Sequence, residues 1–306
     1  MPSPIPYPPC CVVFVYAGDG ESLAQAARSS EWTHVHALAG RGISGVLLLK
    51  DAGQHTVLTC ESLVTQFLGT EAAEGDIAAR FKNLRPVCLA DSASVCATAA
   101  GSGCLIQRLA AGTAPQDAAA LASRNLAKGA PAVFLAVTDP AAAGEGAVPA
   151  SAWSAALAWV QAFLEAGALE GTLLTIVFAV EAPLPAPLAC RVAEAGGAQP
   201  MLAPAGPDFP PLPRPWQSFQ ASGPTGLVDV SRACVGLTLQ HLPGVTRCDL
   251  MESFQPEAIC QKGGAGMILA ESLLAELAFK IGHAPNLSDG PEHRPGGLPA
   301  PRTGPA

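Results

Sequence analysis

The unit that most constrains this chain is a strand, a glycine turn, a helix and a second strand within residues 11–50. The first apolar run covers residues 11–17 and breaks at Gly18-Asp19-Gly20. A helix is predicted over residues 22–38, followed by a second apolar run over residues 43–49. Units of this kind build parallel α/β sheets. The turn that follows the first strand lies at that strand's carboxyl end, where such folds usually bind ligands.

The composition permits a large core and disfavours nucleic acid as a partner. The chain has 306 residues, 49% of them hydrophobic and 14% charged, with a formal net charge of −8. Binding to phosphate backbones requires a basic face. No apolar run reaches the roughly 18 residues that span a bilayer, so no membrane association is expected. The ten cysteines form no CxxC pair, which is typical of a reducing compartment.

The order of predicted elements indicates one domain with irregular ends. Residues 1–10 form a Pro-rich arm without the charge of a signal or transit peptide, so we expect a cytoplasmic protein. Residues 11–283 form a single α/β domain, interrupted at 183–216 by a Pro- and Gly-rich excursion with one short helix near 188–195. Residues 284–306 form a disordered tail. The predicted architecture is three-layer, a mainly parallel sheet with helices on both faces.

Further elements follow from apolar runs and from turn residues. Strands are predicted over residues 86–90, 104–109, 130–137, 173–180 and 233–239. Helices are predicted over 61–68, 92–100, 113–128, 151–166 and 255–260, with a closing helix over 267–281. Thr113 is the predicted cap of the third of these helices, and Asp91-Ser92 the predicted cap of the second.

Four residues are candidates for chemistry at the carboxyl edge of this sheet. Asp19, Asp139 and Glu181 each follow a predicted strand, and acids meeting at one edge would bind a hard cation. Asp19 and Asp139 also have a structural alternative, because Asp-Gly and Asp-Pro are common in turns. Ser62 lies at a helix start, where its hydroxyl is either a nucleophile favoured by the helix dipole or a simple cap.

Common catalytic and cofactor motifs are absent from the sequence. There is no GxxxxGK[ST] phosphate loop, and Gly18-Asp19-Gly20 lacks the third glycine of a dinucleotide fingerprint. GxSxG is absent as well. The one HxH pattern, His34-Val35-His36, falls within the first predicted helix, where its spacing puts the two imidazoles on opposite faces. No HxxE or DxH pattern occurs, which disfavours a tight transition-metal site. No cofactor is therefore predicted from motifs alone.

The order of elements resembles the alkaline phosphatase superfamily, and within it the cofactor-independent phosphoglycerate mutases. Residues 12–18 look like that family's first strand, residues 29–43 like its following segment, and residues 60–70 like its nucleophile helix. Residues 133–139 and 175–181 are similar to strands that end in metal ligands. Residues 214–218, 244–249 and 263–280 resemble an uncharacterised plant and green-alga family.

The resemblance implies a degenerate site, because the family's histidines are missing. Its Asp-His-Gly position reads Val180-Glu181-Ala182, and its Gly-His position reads Gly144-Glu145. Two-metal phosphoryl transfer needs several Asp and His ligands. We therefore expect a non-catalytic protein that binds a small phosphorylated ligand or a protein partner. The alternative is a manganese-, zinc- or magnesium-dependent phosphatase or mutase that uses Asp19, Ser62, Asp139 and Glu181, with Arg247 binding phosphate.

Overall fold

A computed structural model describes most of the chain between residues 7 and 284. The described residues are 7–16, 20–49, 60–69, 76–110, 112–137, 152–165, 171–179, 192–193, 201–202, 212–213, 219–222, 226–229 and 234–284. The statements that follow concern these residues.

Thirteen strands occur in the described residues, eight of them in one central sheet. The strands of this sheet are β1 (Cys10–Tyr16), β2 (Ile43–Leu48), β3 (Val87–Ala90), β4 (Leu105–Arg108), β5 (Ala132–Val137), β6 (Leu173–Ala179), β12 (Cys234–His241) and β13 (Gly266–Leu269). Between β6 and β12 the chain forms two small sheets. Their strands are β7 (Val192–Ala193), β8 (Met201–Leu202), β9 (Leu212–Pro213), β10 (Phe219–Ser222) and β11 (Gly226–Asp229).

Nine α-helices are described, and they cover both faces of the sheet. Their bounds are α1 (Gly20–Ala26), α2 (Thr33–Ala39), α3 (Cys60–Leu68), α4 (Ile77–Arg80), α5 (Ala93–Gly101), α6 (Pro115–Ala127), α7 (Ala152–Glu165), α8 (Pro256–Lys262) and α9 (Ala270–Lys280). Helices α1, α2, α6, α7 and α8 contribute to the core on one face. Helices α3, α4, α5 and α9 contribute to the core on the other.

The sheet is mixed, with one strand running against the rest. Its order is β13-β2-β12-β6-β1-β5-β3-β4, and β12 is antiparallel to both of its neighbours. The other pairings are parallel. The carboxyl ends of the remaining seven strands therefore meet at one edge, here called the carboxyl edge, and their amino ends meet at the opposite amino edge. This confirms the predicted α/β class and mainly parallel sheet.

An aromatic cluster anchors each face of the sheet. On one face Phe67 of α3 packs edge-on against Phe14 of β1 and Phe134 of β5, with ring centroids 4.9 and 5.1 Å apart. On the other face Phe254 stacks on Trp32 at 5.4 Å and contacts Phe178 of β6 at 4.9 Å. Large rings buried on both sides of the same strands hold the three layers together.

The predicted closing helix over residues 267–281 is wrong at its start. Residues Gly266–Leu269 form strand β13 at the sheet's outer side, parallel to β2, and the helix begins only at Ala270. Met267 and Leu269 belong to one core and Ile268 to the other. This alternation is that of a strand buried on both faces, and periodicity over three apolar residues cannot distinguish it from a helix.

The predicted helix over residues 22–38 is also two helices. Helix α1 ends at Ala26, and a 3₁₀ turn at Ser30–Trp32 leads into α2. The Ser29 hydroxyl accepts a hydrogen bond from the Glu31 backbone N–H, which caps the turn. Serine competes with helical hydrogen bonding in this way and favours caps.

Two smaller predictions are corrected as well. Thr113 does not cap α6, because Ala114 is the cap residue and the Thr113 hydroxyl donates to the Ala110 carbonyl. Within the segment predicted as a helix near 188–195, the described residues Val192–Ala193 form strand β7. Ser92, in contrast, caps α5 as predicted. The predicted terminal arm and tail lie almost entirely outside the described residues.

Candidate functional site

Three adjacent strands end level with one another at the carboxyl edge. Strand β1 lies between β6 and β5, with Val15 opposite Val137 and Tyr16 opposite Ala179. The predicted ligands Asp19, Asp139 and Glu181 follow these strand ends by two or three residues in the sequence. All three lie outside the described residues. The strands that lead into them are neighbours in the order β6-β1-β5.

Ser62 belongs to the same edge. It is half-buried in the first turn of α3, the helix that follows β2. Phe67 of this helix packs on β1 and β5 through Phe14 and Phe134, which fixes α3 over the two strands. Glu61, the residue before Ser62, is hydrogen-bonded to Ser92 just after the end of β3, which places the amino end of α3 and the predicted nucleophile or cap at the carboxyl edge.

A contact between two helix starts lies beside Ser62 and is absent from the sequence-based predictions. The Ser92 hydroxyl donates a hydrogen bond to the Glu61 carboxylate, and it lies 3.2 Å from the Ser94 hydroxyl. Ser92 also accepts from the Val95 N–H at 3.5 Å as the cap of α5. Ser92 was predicted as a cap, but nothing in the sequence connects it to Glu61, which lies 31 residues away.

The same edge carries charges of both signs near β3 and β4. Cys96 of α5 is half-buried, and its thiol lies 3.7 Å from the Ala90 carbonyl. Burial raises the pKa of this thiol, Arg108 at the end of β4 lowers it, and Asp91 raises it further. Arg108 is exposed. This side of the carboxyl edge therefore offers a cation next to carboxylates and hydroxyls.

Arg247 lies at the opposite edge of the sheet. It belongs to the loop after β12, whose antiparallel direction takes it to the amino edge. The next two residues contact the residues before β2, since Cys248 Sγ lies 3.1 Å from the Arg41 carbonyl and the Asp249 N–H donates to the Gly42 carbonyl. A seven-residue strand spans roughly 20 Å. The structure thus does not bring Arg247 together with Ser62.

Asp249 organises the amino edge. Its Oδ2 accepts from the Ser44 N–H at 2.7 Å, from the Ser44 hydroxyl at 2.5 Å and from the Gly264 N–H at 3.2 Å. Its Oδ1 accepts from the Met251 N–H at 3.0 Å. One carboxylate therefore joins β2, the loop after β12 and the turn between α8 and β13. Since every donor is main chain or serine, this is a structural junction.

The histidines of the first helical region have separate environments. His34 is exposed, whereas His36 is half-buried and its Nδ1 accepts from the Phe254 N–H at 3.1 Å. This hydrogen bond requires the tautomer that carries its proton on Nε2. His36 therefore supports the loop that places Phe254 in the aromatic cluster.

The described residues by themselves do not assemble a metal site. Within them, no three His, Cys, Asp or Glu side chains are grouped so that they could share a cation. The predicted set Asp19, Asp139 and Glu181 lies outside them, so its fit to a metal remains a prediction.

Among the helices that the structure describes, none has the length and apolarity needed to cross a membrane.

The sheet order and the two covered faces define a three-layer α/β protein. No family model and no curated protein matches the sequence. Matching solved structures include the PH0037 protein from Pyrococcus horikoshii, with 12% identity over 90% of this chain and 98% of that chain and a TM-score of 0.45.

Two further similar structures are described as phosphatases or their relatives. A protein in the alkaline phosphatase superfamily from Vibrio parahaemolyticus is 9% identical over 92% of this chain and 67% of its own, with a TM-score of 0.43. Alkaline phosphatase from the Antarctic bacterium TAB5 is 12% identical over 91% and 99%, with a TM-score of 0.43. Such identities and scores transfer neither a site nor an activity, so the α/β class rests on the sheet itself.

Proposed function

We propose that this chain is a ligand-binding protein on a degenerate phosphatase-like scaffold, with its site at the carboxyl edge of the sheet. The proposal rests on three neighbouring strands, β6, β1 and β5, which end at the same height at the carboxyl edge. In the sequence these strands lead into Glu181, Asp19 and Asp139. Ser62 lies in the first turn of α3 at this same edge. Ligands of parallel α/β sheets bind outside the carboxyl ends of the strands.

The proposed protein binds without catalysing a reaction. Two-metal phosphoryl transfer needs several Asp and His ligands to hold both cations and activate the nucleophile. The positions that resemble the family's His ligands carry Glu145 and Glu181. Beside Ser62, the Glu61 carboxylate is hydrogen-bonded to Ser92. The proposed ligand is a small phosphorylated molecule or a protein partner, bound by helix starts and hydroxyls at the edge.

The alternative function is metal-dependent phosphoryl transfer, as in a phosphatase or a phosphoglycerate mutase-like enzyme. Asp19, Asp139 and Glu181 would hold manganese, zinc or magnesium, and Ser62 would be the nucleophile. Acids following three adjacent strands favour this arrangement. Arg247 is left out of this set because it lies at the amino edge. Phosphate binding by Arg247 would have to occur at a separate surface.

A thermal-shift titration discriminates between the two functions. The full chain is titrated with manganese, zinc and magnesium, alone and with inorganic phosphate, and compared with the variants Asp19→Ala and Glu252→Ala. Glu252 is an exposed acid at the amino edge and is the matched control. Binding at a hundred times Kd stabilises by about 2.7 kcal/mol, which for a chain of this length corresponds to a rise in Tm of roughly 4–5 °C.

The two functions predict different results. The binding protein is expected to respond to phosphate without metal and to leave p-nitrophenyl phosphate unhydrolysed under every metal condition. A metal-induced rise in Tm that Asp19→Ala abolishes and Glu252→Ala retains, together with hydrolysis lost in Ser62→Ala, would establish the enzyme instead. A Tm that neither phosphate nor any metal changes would contradict both functions for a small ligand. The proposed ligand would then be a protein partner, which a pull-down with the full chain tests.

A further inference from the structure

Two buried polar side chains, here called the polar pocket, lie near the amino edge on the face of the sheet that α9 covers. Thr175 of β6 and Gln240 of β12 are direct cross-strand partners, and both are fully buried. On its other side Thr175 is paired with Val12 of β1, which belongs to the apolar core of this face. Directly opposed residues on neighbouring strands have Cβ atoms about 4.5–5.5 Å apart. The threonine hydroxyl and the glutamine amide therefore share one small space.

Lys280 of α9 fixes the orientation of the glutamine amide. Its Nζ donates to Gln240 Oε1 at 2.6 Å and pairs with the Glu276 carboxylate one turn earlier. An ammonium group can only donate hydrogen bonds, so the amide oxygen must face Lys280 and the amide nitrogen must turn away. This removes the usual ambiguity of an amide side chain.

The two remaining polar atoms of the pocket have no partner within the described residues. These are Gln240 Nε2, which carries two N–H donors, and the Thr175 hydroxyl, which can donate and accept. Burying such groups without a hydrogen bond is costly, and native proteins satisfy nearly all of them. Because the two side chains are direct cross-strand partners, one hydrogen-bond acceptor placed between them would satisfy both atoms.

The geometry points to a single buried water molecule, which we propose bridges Gln240 Nε2 and Thr175 Oγ1. A water accepts from the amide and exchanges a hydrogen bond with the hydroxyl, and folded proteins hold about one buried water per 27 residues. It links α9, through Lys280 and Gln240, to the centre of the sheet.

The charges around the pocket favour water over a small anion. Lys280 is paired with Glu276, so the ammonium charge is offset beside the pocket. Cys10 on the neighbouring strand is fully buried, and burial raises the pKa of its thiol well above the usual value, so it stays neutral. An anion would thus gain little attraction and would lie near the Glu276 carboxylate. A neutral acceptor meets no such opposition.

A crystal structure of the full chain, together with three variants, tests this water. Thr175→Val removes the hydroxyl and keeps the shape, Gln240→Met removes the amide, and the double variant measures their coupling. Glu252→Ala is the control, since this side chain is exposed in the loop after β12. Crystals soaked in bromide report an anion by its anomalous signal.

The expected result is one ordered solvent peak about 3 Å from both atoms, without bromide anomalous signal. Thr175→Val should lower Tm by about 2–4 °C, and the double variant should lose less than the sum of the single losses. Glu252→Ala should leave Tm within about 1 °C. Thr175→Val with an unchanged or raised Tm and no solvent peak would overturn the proposal. A bromide peak would overturn the water assignment in favour of an anion.

Discussion

The junction at Asp249 allows the amino edge to be tested by a single substitution. In Asp249→Ala, four hydrogen bonds to one carboxylate are lost, three of them from backbone N–H groups of Ser44, Gly264 and Met251. Ser44 is fully buried, so its N–H cannot turn to bulk water. A hydrogen bond to a charged group is worth about 1.5–3 kcal/mol, and a buried orphan donor costs about 1–3 kcal/mol.

These contributions overlap, because Ser44 supplies two of the four donors. We therefore expect Asp249→Ala to lower the free energy of unfolding by about 3–5 kcal/mol, and Asp249→Asn by about 2 kcal/mol, since the asparagine oxygen replaces one of the two acceptors. Urea unfolding followed by far-UV circular dichroism measures both. Glu252→Ala, exposed in the same loop, should stay within about 0.5 kcal/mol. A loss below about 1 kcal/mol in Asp249→Ala would refute the junction.

The other predictions concern buried thiols, the aromatic cluster and the helix cap at the candidate site. Burial raises the pKa of Cys11 and of Cys88 to about 12 from near 9.0, so their contribution to stability is full below pH 9 and is lost as the pH rises toward 12. At pH 10, ionisation of each thiol in the unfolded chain should lower the free energy of unfolding by about 1.4 kcal/mol. The loss is measured as a fall in the urea midpoint, and Cys11→Ala and Cys88→Ala should each make that fall smaller. Phe254→Ala should cost about 3–5 kcal/mol in the same assay, and the 70% exposed Phe279→Ala almost nothing; equal costs would contradict the cluster. Ser92→Ala should cost about 1–2 kcal/mol by removing the cap of α5 and the partner of Glu61, and an unchanged urea midpoint would contradict both contacts.

The central strands could be predicted because each short apolar segment by itself indicates a buried strand. Strands β1, β5 and β6 are apolar runs rich in β-branched residues, interrupted only by Thr175 in β6 and buried along their whole length apart from Tyr16 at the end of β1. Such runs fit a parallel sheet that is covered on both faces. Their adjacency, however, depends on pairing between residues more than a hundred positions apart, such as Cys10 with Ala132 and Leu173.

Strand β13 shows where local reasoning fails. Its three apolar residues continue directly into the apolar positions of α9, so helical periodicity fits them as well as alternation does. The strand forms because β2 offers an unpaired edge to Met267 and Ile268, which lie opposite Val46 and Leu47. That edge exists only in the folded sheet. Tertiary pairing thus overrides a local helical preference.

The contacts of the candidate site and of the amino edge were beyond prediction for the same reason. Glu61 and Ser92 are 31 residues apart, and Asp249 and Ser44 are 205 residues apart. A sequence marks Ser92 as a cap and Asp249 as one acid among many, but it does not specify which distant donor meets each oxygen. The strand ends before Asp19, Asp139 and Glu181 were easier to anticipate, because parallel strands necessarily end at a common edge.

The contacts that stabilise the fold and the proposed ligand site lie at opposite edges of the sheet. The junction at Asp249, the His36 contact and the pocket beneath Lys280 lie at the amino edge. The proposed ligand site lies at the carboxyl edge, about 20 Å away along the strands. Sites more than 7–10 Å apart with no shared partner usually contribute additively. A substitution at the amino edge should therefore lower the unfolding temperature of the free and of the ligand-bound protein equally, whereas one at the carboxyl edge should change the difference between them.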